Sequence, residues 1–167
     1  MKKLPKKTHK LLGALANYLD HHANKIEKHF NMDAWFYHEG DESFEDEHGV
    51  EASEKIPSKK LFSCGTTACA LGWACQVPAL KSMGLYLQYD GNETGSVRLK
   101  DCTARDEFTI AQKIFDLSRG QAAWLFTPLN ANTYEDDRHN ETPKEWAARC
   151  RLFLGIEGDT RNVALPR

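Results

Sequence analysis

The segment that most constrains the fold runs from residue 64 to residue 75 and reads CGTTACALGWAC. It holds three of the five cysteines, and its other residues are mostly alanine, glycine and threonine. Small residues spaced four apart share one side of a helix and let another backbone approach closely, and cysteine is often buried. The segment therefore predicts a central core helix that begins near Thr66 and ends near Pro78, which cannot continue the hydrogen-bond ladder. The small pairs are Ala68 with Gly72 and Ala70 with Ala74.

Regular patterns predict the other elements. From Thr8 to Phe30 apolar residues recur every three or four positions, which indicates an amphipathic helix with Thr8 as its N-cap. The stretch 84–99 alternates apolar and polar residues around a turn rich in glycine and asparagine, which predicts a β-hairpin. Three further helices should follow. Two of them begin with capping boxes, Ser118 with Gln121 and Thr142 with Glu145.

Together these elements predict a mostly helical α+β fold, a single domain over residues 1–167 with a central small-residue helix and one β-hairpin. A hydrophobic content of 41% and a charged content of 28% are typical of a globular chain and not of a disordered one. Three segments are expected to be flexible, because they are strongly charged or have few apolar residues: the basic arm 1–7, the acidic loop 40–58 and the tail 156–167.

Charge and hydropathy limit the partners. The chain has 22 basic and 24 acidic residues, a net charge of -2, so no global basic field favours nucleic acid. No segment approaches the ~20 apolar residues that cross a bilayer, so we expect no membrane contact. The apolar run of the first helix lacks a signal-peptide cleavage site, and an odd number of cysteines fits reduced thiols. We therefore expect a cytoplasmic protein.

The three cysteines of the opening segment do not predict a metal site. On a helix of about 100° per residue, Cys64, Cys69 and Cys75 point in divergent directions. Structural zinc sites pair ligands two to four residues apart and match them with a second pair, which the chain lacks. We predict neither a metal nor a cofactor.

Cys64 is the candidate catalytic residue. It precedes the predicted helix, whose N-terminal dipole would favour the thiolate. A cysteine hydrolase also needs a base, and the only histidine after Cys64 is His139. Cys64 with His139, or with a histidine of the first helix, is therefore the enzymatic alternative.

A third prediction uses the same helix entry as a binding site for an anion. Backbone N–H groups and hydroxyls at a helix N-terminus bind phosphate or carboxylate groups, and nearby lysines can close such a site. The residues in question are Lys59, Lys60, Gly65, Thr66 and Thr67.

Motifs along most of the chain, up to about Leu154, resemble an uncharacterised family of small phage and bacterial proteins. The most specific is the core CGTxAC-x-x-GWA. The others are Phe30-Asn31-Met32 with Trp35, Gly84-Leu85, Phe115-Asp116-Leu117-Ser118 with Gln121-Ala122, Leu125-Phe126 with Pro128, and Thr142-Pro143 with Ala147. The resemblance implies one compact domain and a phage or prophage setting.

Small phage accessory proteins often act by binding. The leading hypothesis is therefore a non-enzymatic binding protein that modulates a host or phage protein or a signalling ligand. Inhibition of a host defence system is one form that this hypothesis includes. The cysteine hydrolase, the anion binder and contact of the basic arm with DNA are the alternatives. Oligomeric state cannot be read from the residues.

Overall fold

Helix α1 spans Lys6–Ile26 in a computed structural model that describes residues 4–32, 37–38, 66–89, 95–104, 106–127 and 141–155. Its leucines, Ile26, Ala16 and Ala23 form one buried stripe, as the sequence period predicts. The predicted N-cap is wrong, because the helix begins two residues before Thr8, with Pro5 in the capping position. Thr8 instead faces the core, where its hydroxyl donates a hydrogen bond to the Phe115 carbonyl oxygen at 2.7 Å.

A short antiparallel pair follows α1. A 3-10 turn over Glu27–His29 leads to Phe30, which bridges to Ala68. Strand β1 (Tyr37–His38) then pairs with strand β2 (Thr66–Thr67). The central helix therefore does not begin near Thr66, as predicted, because the backbone there is engaged in strand pairing.

The small-residue segment forms helix α2 (Ala70–Ala74), with Cys69 at its N-cap. All five residues of α2 are buried, so the predicted central position in the core is confirmed. The helix ends before Pro78, and Pro78 begins a new helix, α3 (Pro78–Ser82). Proline suits the first position of a helix, because its missing N–H would have no partner there anyway. The sequence analysis missed α3.

The predicted hairpin is confirmed. Strand β3 (Leu85–Tyr89) pairs with β4 (Gly95–Leu99) in antiparallel register, with Leu87 opposite Val97. Its apolar face is buried at Leu85, Leu87 and Val97. Gly84 precedes the hairpin with a φ of +89°, and a Cβ there would lie 2.6 Å from the Cβ of Lys100. This close approach requires glycine.

Three helices complete the described chain: α4 (Glu107–Phe115), α5 (Arg119–Phe126) and α6 (Pro143–Phe153). Both predicted capping boxes are confirmed, at Ser118 and Thr142. Helix α6 packs along α1, while α4 contacts α1, α5 and the hairpin. One buried cluster joins residues of all six α-helices and the hairpin, which makes the structure the predicted mostly helical α+β fold. The acidic loop 40–58, the tail 156–167 and residues 1–3 of the basic arm lie outside the described residues.

Candidate binding surface

Most of the predicted site residues lie outside the described part of the chain: Cys64, His139, Lys59, Lys60 and Gly65. Their proposed roles in hydrolysis and anion binding stay predictions. Thr66 and Thr67 are described as backbone only, and they belong to β2 and not to the first turn of a helix. The helix N-terminus on which the anion-binding prediction relied is therefore not at these two threonines.

Three described cysteines are packed into the core. Cys69, Cys75 and Cys150 are at most 2% exposed. Burial raises the pKa of the Cys69 and Cys150 thiols to about 12, and it raises the pKa of Cys75 well above its usual value. The thiolate is the reactive form of cysteine, so we expect these three buried thiols to react slowly in the folded protein. Their role is packing.

Cys102 differs from the buried cysteines and was missed by the sequence analysis. It is half-buried, and its Sγ accepts a hydrogen bond from the Lys113 Nζ at 3.2 Å. Partial burial acts to raise the pKa of this thiol, but the backbone at Ala104 and the Lys113 ammonium group outweigh it, and the pKa is lowered. The two residues are 11 positions apart, and only the path of the chain from β4 into α4 brings them together.

Five exposed lysines lie on the solvent side of α1 and the turn after it, and we call them the basic face of α1: Lys6, Lys7, Lys10, Lys25 and Lys28. At about 100° per residue, the four lysines within α1 fall in an arc of about 100°, opposite the buried Leu15 and Leu19. Over the described residues, no ion pair joins any of the five to a carboxylate. Asp20, at the flank of the helix, is engaged by Arg151 at 2.8 Å.

The N-terminal end of this face opposes the usual electrostatics of a helix. Each helix carries a partial positive charge at its N-terminus, where acidic residues are favourable and lysines are not. The first turn of α1 has no acidic residue and no side-chain cap, and it includes Lys6 and Lys7. Because these lysines oppose helix stability, the fold does not account for their presence.

Charge is divided unequally along the chain. The described residues hold 13 lysines and arginines against 8 aspartates and glutamates, a net charge of +5. The other residues hold 9 against 16, a net charge of -7, and the two parts add to the overall -2. The overall net charge is therefore close to zero, although the described residues alone are basic.

A second cationic group is wholly internal. Arg149 of α6 is 2% exposed and pairs with Glu141 at 2.5 Å. Its guanidinium also donates to the carbonyl oxygens of Trp124, Leu125 and Thr127, at 2.7 to 3.2 Å, at the C-terminal end of α5. Desolvation lowers the pKa of Arg149, although the Glu141 carboxylate opposes that shift. These contacts satisfy the terminal carbonyls of a helix, so Arg149 has a structural role.

The described residues contain no group of three or more side chains that could together hold a metal ion. None of the helices in the described ranges has the length and apolar character needed to cross a membrane. Comparison with protein-family models, with curated proteins and with solved structures finds no match to this chain.

Proposed function

We propose that this protein is a small cytoplasmic accessory protein of a phage or prophage that acts by binding a partner macromolecule and not by catalysis. The single observation that carries the proposal is the basic face of α1. Its five lysines are exposed on one side of the helix, three near its N-terminal end and two near its C-terminal end, and no ion pair connects them to a carboxylate within the described ranges. The resemblance to small phage proteins supports the same conclusion.

Helix α1 is well suited to present a binding surface. Its 21 residues span about 31 Å at about 1.5 Å per residue. Its opposite side is fixed to the core, with Thr8 bonded to α4 and Asp20 to α6. Lysines on the outer side therefore have fixed spacing along the surface, and a partner would pay little entropy to order the backbone beneath them.

Site-specific photo-cross-linking tests the proposal. A benzophenone amino acid replaces Asn17, which is exposed midway along α1, or Gly120, which is exposed on α5 with open space beside it. The full chain is expressed in a bacterial host and irradiated. We expect a protein adduct from position 17 that is absent from position 120 and is lost with Lys10→Glu/Lys25→Glu. Equal adducts at both positions, or adducts at neither, would reject the proposal.

A thiol-dependent enzyme is the second candidate, and the contact of Cys102 with Lys113 favours it, because it supports a thiolate at the surface. The earlier candidates Cys64 and His139 belong to the same class. Cys64→Ser and Cys102→Ser variants separate the two candidates. A binding protein keeps its position-17 adduct in both variants, whereas an enzyme loses turnover of a thioester or ester substrate in one of them.

A further inference from the structure

We infer that the guanidinium of Arg149 holds together the two ends of segment 128–140, so that helices α5 and α6 stay assembled without that segment. This role is independent of the proposed function. Thr127 precedes the segment and Glu141 follows it, and both accept hydrogen bonds from Arg149. All three residues belong to the described ranges, whereas segment 128–140 lies outside them.

The C-terminal end of α5 takes hydrogen-bond donors from α6. In a continuing helix, the Trp124 carbonyl oxygen would accept from the backbone N–H of residue 128, but Pro128 has none. The Nη1 of Arg149 donates to that oxygen instead, at 2.7 Å. The Leu125 carbonyl oxygen accepts from the Nη2 of Arg149 and from the indole N–H of Trp146. Side chains of α6 therefore cap the end of α5, where the helix itself offers no further donors.

The same guanidinium fixes the chain just before α6. Glu141 lies one residue ahead of Thr142, the N-cap of α6, and its carboxylate accepts from the Nη2 of Arg149 at 2.5 Å. Glu141 is 5% exposed and Arg149 is 2% exposed, so this ion pair is internal. A charged hydrogen bond in the protein interior is stronger than the same bond in water. Residue 141 is therefore held against the end of α5.

The two ends of segment 128–140 consequently lie close together. A guanidinium is a small planar group with its donors in a fixed fork, so acceptors bonded to it are only a few ångströms apart. The thirteen residues between them could extend over about 43 Å. Connections between packed helices commonly need only about 2–8 residues. The segment is thus much longer than the distance that it has to cross, and the assembly of α5 with α6 does not require its length.

Replacing the segment tests whether its ends are close. A linker of six alternating Gly and Ser residues, which can span about 20 Å, takes the place of residues 128–140 in the full chain. We expect the helical circular dichroism signal of the wild type and a urea midpoint within about 1 M of it, because the entropy of loop closure changes slowly with length. A variant that does not fold, or a larger fall in the midpoint, would overturn the inference.

A cut within the segment tests whether α6 stays in place without a covalent connection. The recognition sequence of a site-specific protease is inserted between Asn132 and Thr133, and the folded full chain is then cleaved. We expect fragments 1–132 and 133–167 to elute together from size-exclusion chromatography at micromolar concentration, with the helical signal of the uncut chain. Fragments that separate under these conditions would overturn the inference.

Two substitutions in the cut chain show whether the guanidinium is responsible. Arg149→Lys keeps a positive charge beside Glu141 but loses the fork that reaches three carbonyl oxygens, and it should weaken the association of the fragments by about tenfold or more. Arg151→Met, the matched control, removes a partly exposed contact of α6 with α1 and should weaken it by less than about fivefold. Equal losses in the two variants would overturn the inference.

The uncut Arg149→Lys variant is checked first by circular dichroism. If it does not fold, Glu141→Gln takes its place in the cut chain and should weaken the association by about threefold or more, because a charge-assisted hydrogen bond is lost. No change in that variant would overturn the inference.

Hydrogen exchange on the uncut chain separates this local role from a general contribution to stability. The amides of Thr127 and Trp146 are bonded within α5 and α6, at the two ends of the segment. In Arg149→Lys, or in Glu141→Gln if that variant replaces it, both should exchange about tenfold faster or more, while the amide of Leu19 in α1 should change much less. An equal increase at all three amides would overturn the inference in favour of a general stabilising role.

Discussion

The molecule treats its cations in two opposite ways. Arg149 lies inside the protein, where one carboxylate and three carbonyl oxygens accept its hydrogen bonds and the ring of Trp124 lies 5.5 Å away. The lysines of the basic face of α1 lie outside, and two of them occupy a helix end that disfavours positive charge. A cation that makes many internal contacts explains its own presence through stability. Lys6 and Lys7 make no such contacts with the described residues and oppose the helix dipole, so helix stability does not explain their presence.

The largest expected effect comes from removing the buried guanidinium of Arg149. Arg149→Met removes the partner of a buried carboxylate and the donors to the end of α5, and we expect a loss of about 3–5 kcal/mol in the free energy of unfolding. Urea denaturation measures it. Arg151→Met is the matched control, because its pair with Asp20 is partly exposed and is worth at most about 1 kcal/mol. Equal losses in the two variants would remove the distinction between internal and external cations.

A smaller effect tests the inner side of α1. Thr8→Val keeps the shape of the side chain but leaves the Phe115 carbonyl without its hydroxyl donor, at an expected cost of about 1–3 kcal/mol. Thr8→Ser, which retains the hydroxyl, should cost less. If Thr8→Val unfolds at the same urea concentration as the wild type, the contact between α1 and α4 has no energetic role.

Reversing a charge on the outer side of α1 should change the stability of the protein in opposite directions at the two ends of the helix. Lys6→Glu places an acid at the N-terminus and should stabilise the protein by about 0.3–1 kcal/mol. Lys25→Glu places an acid in the last turn and should destabilise it by a similar amount. Thermal unfolding at low salt compares the two. If neither variant is more stable than the wild type, or if both are, the helix dipole does not determine the effect of these charges on stability.

The smallest expected effect concerns the half-buried Cys102, whose thiol contacts the Lys113 ammonium group. In a Cys64→Ser background, thiol labelling should find one fast-reacting cysteine. Because the pKa of Cys102 is lowered, its labelling rate should rise at a lower pH than that of an ordinary thiol. Lys113→Met should move that rise to higher pH and leave stability nearly unchanged. Labelling of Cys69, Cys75 or Cys150 before unfolding would contradict their burial.

The sequence predicted the local features well. The capping boxes at Ser118 and Thr142 depend on residues three positions apart, and the inner side of α1 depends on a period of three and four. Both signals lie within one element, where propensity and side-chain spacing decide the outcome. For the same reason the two strands of the hairpin were found from their alternation and their turn.

The features that the sequence did not predict depend on contacts between distant parts of the chain. Thr66 and Thr67 read as a helix entry, but Tyr37 and His38 take their backbone groups into a strand pair. The internal position of Arg149 depends on its contacts with the end of α5, which no sequence pattern within α6 indicates. The basic face of α1 was partly predicted as a flexible arm, since Lys6 and Lys7 precede the apparent N-cap Thr8.

The central claim is that the basic face of α1 binds a partner. It is tested most directly by measuring two quantities on one variant, Lys6→Glu/Lys10→Glu/Lys25→Glu: the yield of the position-17 adduct and the free energy of unfolding. We predict loss of the adduct with an unfolding free energy within about 1 kcal/mol of the wild type, because the dipole effects at the two ends of α1 oppose each other. A large loss of stability, or an unchanged yield of the adduct, would contradict the claim.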